Sequence, residues 1–319
     1  MSELSLVTGG AGFIGSHLVE ALAREGRPVR VLDDLSTGLR SNLSHLSPAP
    51  EFIQGSLTDS ATVARAVEGV RVVYHLAALA SVARSVENPL ATHAACATGT
   101  LNLLEAARKA GARRVVYSAS SSAYGGAGGD TPDASQTEDT PIKALSPYAA
   151  AKLAGELYMQ AFTATYGLET VRLRFFNIFG PRQRADSPYS GVIALFIAAM
   201  TAGKTPTVHG DGLQSRDFTY VTNAVQALRK AADSPGVAGN VYNVGTGNSI
   251  SVLDLVASLN RLLGMNLVAS HGPTRVGDVR YSRADITRTR RDLGYDPDVT
   301  FDEGLATTLR WYRELHGAG

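Results

Sequence analysis

Tyr148 and Lys152 stand four residues apart in the run Ser146-Pro147-Tyr148-Ala149-Ala150-Ala151-Lys152, and a phenol beside an ammonium can act as a base. Positions i and i+4 share one helix face, so a helix would bring the two groups together. An ordinary tyrosine has a pKa of about 10, and lowering it to roughly 7 takes about 4 kcal/mol of differential stabilisation, of which a fixed cation is one source. Taken alone the pair is a weak signal, because Tyr-x-x-x-Lys also occurs on surface helices with no chemistry. Its weight depends on what the rest of the chain places around it.

Ser146 is a good helix N-cap and Pro147 suits the first helical position, so a helix is predicted over residues 148–166. Upstream, short apolar runs alternate with helical patterns. Strands are predicted at 4–8, 29–33, 51–55, 70–76, 114–118 and 170–174, with helices over 13–24, 62–67 and 90–110. This alternation implies an α/β fold, a doubly wound parallel sheet with helices on both faces. Residues 125–144, rich in Gly, Asp and Thr, read as a loop just before the Tyr–Lys helix. After Asn177 the pattern loosens, with helices near 192–202, 252–263 and 305–316. The domain reading is 1–177 for the first unit and 178–319 for a smaller C-terminal lobe with segments returning to the first.

The 319 residues are 44% hydrophobic and 18% charged, which suits a soluble globular chain, and the net charge of +1 comes without a long basic run. Neither nucleic acid nor an anionic membrane is expected as a partner. The single cysteine, Cys96, lies among alanines and reads as a buried structural thiol; it excludes an intramolecular disulfide and fits a cytoplasmic location. The start of the chain runs into a strand pattern without the features of a signal peptide. The seven histidines show no metal-ligand spacing, so no metal is expected.

Between the first strand and first helix lies Thr8-Gly9-Gly10-Ala11-Gly12-Phe13-Ile14-Gly15. Gly9 would permit the tight turn, Gly12 the approach of backbone to a pyrophosphate, and Gly15 close helix–strand packing. Asp33 closes the second strand, placed to bind adenosine ribose hydroxyls and to repel a 2′-phosphate, so NAD is favoured over NADP as the cofactor.

With the spacing Gly-x-x-Gly-x-x-Gly and Tyr148-x-x-x-Lys152, the chain resembles the extended short-chain dehydrogenase/reductase family, whose Rossmann-type domain carries a smaller C-terminal substrate lobe. Within it, the stretches 118–125 (SASSSAYG), 177–183 (NIFGPRQ), Arg216-Asp217-Phe218 and 275–280 (RVGDVR) are similar to the NAD-dependent UDP-sugar 4-epimerases. The resemblance implies further cofactor positions at Phe13, Ile14, Asp34, Ser36, Thr37, Gly38, Ser56, Leu57, Leu76, Ala77, Ala78 and Ser118. In such an epimerase Tyr148, as phenolate, would take the proton of the sugar 4′-hydroxyl while hydride passes to NAD. The transient 4-keto sugar then turns over and receives the hydride on its other face. Lys152 would depress the tyrosine pKa and hold the nicotinamide ribose. Ser120 matches the hydroxyl that hydrogen-bonds the reacting oxygen, with Ser121 and Ser122 as close alternatives. A 4,6-dehydratase would carry an Asp-Glu pair where Ser121 and Ser122 stand, which argues against that activity.

For the UDP-sugar, the resemblance places Arg216 and Arg275 on the diphosphate, Asp278 on the nucleotide ribose and Asn177 on sugar or phosphate. Val208 and His209 would line the uracil pocket, and Ser81, Ser122 and Val192 would also contact substrate. Ser282 falls where the C2 substituent is gated, and a small residue there leaves room for an N-acetyl group. UDP-glucose/galactose and UDP-GlcNAc/GalNAc are thus both open. Arg184 supports a different substrate, because in UDP-glucuronate 4-epimerases a second arginine at this place pairs with the sugar carboxylate, and Asp186 could hold it otherwise. Asn177, where glucuronate enzymes tend to carry threonine, argues the other way. A non-catalytic NAD-binding sensor on the same fold is a remote alternative. Two departures stand out: Ser56 replaces the usual Asp of an adenine contact, and Cys96 stands where many relatives have asparagine. The resemblance further implies a homodimer through a four-helix bundle built from the helices at 90–110 and 148–166.

Overall fold

The computed structural model describes residues 3–128, 131, 133–185, 190–274, 279–315 and 317. Six strands and eight helices matter for the site. The strands are β1 (Ser5–Thr8), β2 (Val29–Asp33), β3 (Glu51–Gln54), β4 (Val72–His75), β5 (Arg114–Ser120) and β6 (Glu169–Phe175). The helices are α1 (Phe13–Arg24), α2 (Ser60–Val67), α3 (Val82–Glu87), α4 (Pro89–His93), α5 (Gly99–Lys109), α6 (Pro147–Tyr166), α7 (Val192–Thr201) and α8 (Val221–Asp233). A seventh strand, Val241–Val244, joins the sheet from the C-terminal half by pairing with β6. The order is Val241–Val244, β6, β5, β4, β1, β2, β3, all parallel: a Rossmann-type sheet.

Central strands such as β1 and β4 are buried along their whole length, because helices cover both faces. On one face Leu18 and Val19 of α1 and Leu228 of α8 pack together; on the other lie Val63 of α2, Leu103 of α5 and Met159 of α6. A third core gathers α7 and the helices Val252–Leu263 and Phe301–Leu315 around Phe179, Phe218 and Tyr220. The small sheet Ile250–Ser251, Ser215–Arg216, Tyr281–Ser282 edges this lobe. No helix among the described residues is long and apolar enough to cross a membrane.

The structure differs most from the expected elements at 90–110. In place of one helix there is α4, then a π turn over Ala94–Thr98, then α5. Thr100 Oγ1, at the start of α5, donates to the Cys96 carbonyl at 2.6 Å; the wider i to i+5 bonding of a π turn leaves no mark in helix periodicity. The short helix α3 and the helix α8 also lie outside the predicted set.

Candidate active site

The α6 segment forms as its first residues dictate. Ser146 accepts from the Ala149 N–H at 3.1 Å, Pro147 opens the helix, and Gly167 closes it in the left-handed region. Gly155 brings the helix against β5, because a Cβ there would lie 2.4 Å from the Tyr117 hydroxyl. That approach seats the Lys152 ammonium 4.3 Å from the centre of the Tyr117 ring, and the Tyr117 hydroxyl donates to the Lys152 carbonyl at 3.2 Å. Lys152 is 3% exposed, and burial lowers its pKa to about 8, with Glu156 one turn along opposing.

Tyr148 faces the end of β5, with the Ser120 hydroxyl as its polar neighbour in the cleft. Burial pushes its phenol well above the ordinary value, and the Ser120 hydroxyl acts in the opposite direction. The expected lowering by Lys152 is not what sets the phenol here; the ammonium is turned onto the Tyr117 ring instead. Of the three candidate serines, Ser120 is the one that acts on the Tyr148 phenol, and it accepts from Ser122 N at 3.2 Å and Ser122 Oγ at 2.9 Å. The hydroxyl of Ser122 thus points back at Ser120 and helps fix it.

Both residues open onto one cleft of about 1390 Å³ at the C-terminal ends of the strands, where open parallel sheets bind ligands. Its cofactor side is lined by Gly9, Gly12, Phe13, Ile14, Gly15, Asp33, Asp34, Ser36, Thr37, Ser56, Leu57, Leu76, Ala77, Ala78 and Ser118. The glycine turn has the shape a dinucleotide needs. Gly9 has φ +70°, and a Cβ on it would meet the Ala77 backbone at 2.7 Å; a Cβ on Gly15 would sit 2.1 Å from the Gly9 carbonyl. Gly12 caps α1 without a side chain, so backbone N–H groups face the cleft at the positive end of a twelve-residue helix. Asp33 has a second task, since its carboxylate accepts from Ala11 N at 2.9 Å and Leu35 N at 2.8 Å and so braces the turn. Burial raises the Asp33 pKa against those bonds. Gly38 lies off the cleft, where a Cβ would press on the Asp33 carboxylate at 2.9 Å.

Ser81, Ser120, Ser122, Asn177, Arg184, Arg216 and Ser282 line the substrate side. Arg216 and Ser282 are partners in the parallel pair of Ser215–Arg216 with Tyr281–Ser282. Between them works Asp217, which had no role in the sequence reading. It is fully buried and accepts from Thr246 N and Oγ1 (2.9 and 2.8 Å), Gly247 N (3.0 Å) and Ala284 N (3.2 Å). Its position between Arg216 and Phe218 was the available signal. Three expected contacts are not brought to the cleft. Val208 is in the third core, Val192 packs against that core, and His209 turns its Nδ1 to the Pro273 carbonyl at 3.1 Å. Arg275, Asp278 and Asp186 lie outside the described residues. The cleft also takes in Arg84, Gln136, Arg182 and Gln183.

The loop that carries Arg184 is tied to α1. His17 Nε2 donates to the Pro181 carbonyl at 2.9 Å, and Arg182 pairs with Glu20 at 2.5 Å. Burial lowers the His17 pKa from 6.5 to about 4. As pH falls from 6.5 towards 4, the unfolded chain takes up a proton that the folded chain refuses, so stability falls through that window. His17→Gln, which keeps a donor, is expected to flatten the dependence of Tm on pH between those limits. An unchanged slope would remove His17 from the acid response.

Residues 5–245 match the NAD dependent epimerase/dehydratase family. The chain belongs to that family. It is 40% identical over 314 residues to a UDP-glucose 4-epimerase of Mycolicibacterium smegmatis, covering 97% of this chain and 98% of that protein. Among solved structures, the family member described as UDP-glucose 4-epimerase from Thermotoga maritima, with UDP-glucose, superposes with a TM-score of 0.92 at 36% identity, over 98% of this chain and 99% of that one. The UDP-N-acetylglucosamine 4-epimerase of Methanobrevibacter ruminantium, in complex with UDP-N-acetylmuramic acid, gives the same TM-score, identity and coverage. Family membership makes this chain an NAD-dependent enzyme of sugar-nucleotide epimerase or dehydratase type.

Proposed function

We propose that the chain epimerises C4 of a UDP-hexose through a transient 4-keto sugar, acting on UDP-glucose/UDP-galactose, UDP-GlcNAc/UDP-GalNAc or both. The observation that carries this reading is that Tyr148 and Ser120 line one cleft with the glycine turn, with Ser121 and Ser122 following Ser120 along the chain instead of carboxylates. Bound NAD supplies a hydride acceptor that later returns the hydride. Tyr148 takes the 4′-hydroxyl proton and gives it back, and Ser120 holds the oxygen. Lys152, its ammonium against the Tyr117 ring, keeps its positive charge in the same cleft up to a pH of about 8. Arg216, in the cleft lining, would hold the diphosphate and Asn177 the sugar or phosphate; Arg275 and Asp278, given parts in the same task by the resemblance, lie outside the described residues. Ser282, small and only 8% exposed, leaves room beside Arg216 for a C2 substituent. Elimination of water, as in a dehydratase, needs an acid after Ser120, and none follows it.

Incubation with UDP-glucose, UDP-GlcNAc and UDP-glucuronate, with separation of the products, tests the proposal. Protein that holds NAD and leaves all three unchanged would instead be a sensor.

A second reading, UDP-glucuronate 4-epimerase, is favoured by Arg184 on the substrate wall. Under it, Arg184→Ala lowers kcat/KM for UDP-glucuronate by about 10–100-fold, the worth of a hydrogen bond to a charged group. An equal loss on UDP-glucose would refute that role.

Whichever sugar is the substrate, the proposal includes a homodimer through a four-helix bundle built from the segments 90–110 and 148–166. Leu157 of α6 (63% exposed) and Leu90 of the adjoining α4 (81% exposed) support it. Light scattering at micromolar protein tests it, and a monomer mass would overturn it.

A further inference from the structure

Thr8, His75 and Tyr117 lie side by side across β1, β4 and β5. The His75 ring is fully buried and reaches both neighbouring elements: Nδ1 lies 2.8 Å from Thr8 Oγ1, and Nε2 lies 2.8 Å from Thr100 Oγ1 of α5. A hydroxyl has one proton, which fixes the direction of every bond in this chain. Thr100 spends its proton on the Cys96 carbonyl at 2.6 Å, so towards His75 it can only accept, and Nε2 must carry hydrogen. Burial and the nearby Lys152 keep the imidazole neutral, far below its ordinary pKa, so Nδ1 is bare. Thr8 therefore donates to Nδ1, and its oxygen is open to the Ala77 N–H at 3.3 Å.

One polarised chain thus runs from Ala77 N–H through Thr8, His75 and Thr100 to the Cys96 carbonyl. One of its ends lines the cofactor side of the cleft and the other lies in a turn whose neighbouring residues do. Ala77 lines the cleft and abuts Gly9 of the glycine turn. Cys96 lies in the π turn that presents Ala94 and Ala95 to the same cavity. We propose that His75, locked as the neutral Nε2–H tautomer, is a positioning residue that sets the glycine turn and the π turn at a fixed distance and so shapes the NAD cradle. It touches neither cofactor nor substrate; it acts through Ala77 and the π turn. The consequence for turnover rests on the epimerase reading above, whereas the wiring does not.

The test has two arms. In the first, nitrogen NMR of the parent protein at pH 7 is expected to show hydrogen on His75 Nε2 alone; hydrogen on Nδ1, or on both nitrogens, overturns the proposal. In the second, Thr100→Val removes the hydroxyl at nearly constant shape and Thr100→Ser restores it. Thr100→Val is expected to release NAD from the loaded protein about tenfold faster and to lower kcat by about tenfold, with the sugar KM within about twofold, the scale of one buried donor left unpaired. Thr100→Ser is expected to recover both. If Thr100→Val lowers only the melting temperature, with NAD release and kcat those of the parent, His75 is structural and the proposal falls. Should Thr100→Val fail to fold, Thr100→Ser and the NMR of the parent decide. If the parent turns over no UDP-sugar, the epimerase reading fails while the tautomer and the NAD release rate still judge this one.

Discussion

Tyr148→Phe is expected to lower kcat by about 10²–10⁴-fold on whichever UDP-sugar the protein accepts, the usual contribution of a positioned acid–base group. The phenylalanine keeps the ring and its packing, so bound NAD and the melting temperature should stay near those of the parent. The loss is large because no other group stands ready. Ser120 is held by Ser122 and has the phenol as its partner, and Lys152 is turned onto the Tyr117 ring. A fall of less than about tenfold would show that proton transfer does not run through Tyr148.

The largest effect on stability is expected at the ion pair behind the catalytic helix. Arg174 on β6 pairs with Glu156 on α6, Nη2 to Oε2 at 2.9 Å, with both side chains under 5% exposed, and Arg174 also lies over the Tyr124 ring at 4.8 Å. Arg174→Met leaves a buried carboxylate without its partner, which costs about 3–5 kcal/mol. Adding Glu156→Leu to the same protein removes the stranded charge and should recover much of that loss. Glu156 sits one turn beyond Lys152 on the same helix, so the single variant should also disturb catalysis more than the double one does. Denaturant unfolding of the three proteins measures this. A cost below about 1 kcal/mol for the single variant would mean that water reaches the pair.

Much of the fold was legible because its signals are local. The strand–helix alternation up to 174 reflects side-chain periodicity, and the glycine spacing follows from backbone contacts. At Gly9 and Gly15 a Cβ would collide with the Ala77 backbone and the Gly9 carbonyl. The helix α8 carries apolar residues at Val221, Ala224, Val225 and Leu228, a readable helical spacing that the looser pattern around it hid. The π turn at Ala94–Thr98 left no such trace, since it interrupts a continuous run of small helix-compatible residues.

The candidate site divides in the same way. Tyr148, Lys152, Ser120, Asp33 and the glycine turn could be named from residue type and spacing, and they meet in one cleft. Their surroundings could not. That the Lys152 ammonium rests on Tyr117, that Asp33 spends its carboxylate on the turn, and that Asp217 braces the Arg216–Ser282 wall are contacts between residues far apart in sequence. Residue type at short spacing was enough to nominate candidates for the chemistry and to name NAD as the cofactor, because both readings rest on local patterns. Which serine lies against the tyrosine, in which direction burial shifts each proton, and which of the expected substrate contacts reach the cavity came from the folded chain, because desolvation and hydrogen-bond partnership are settled by packing.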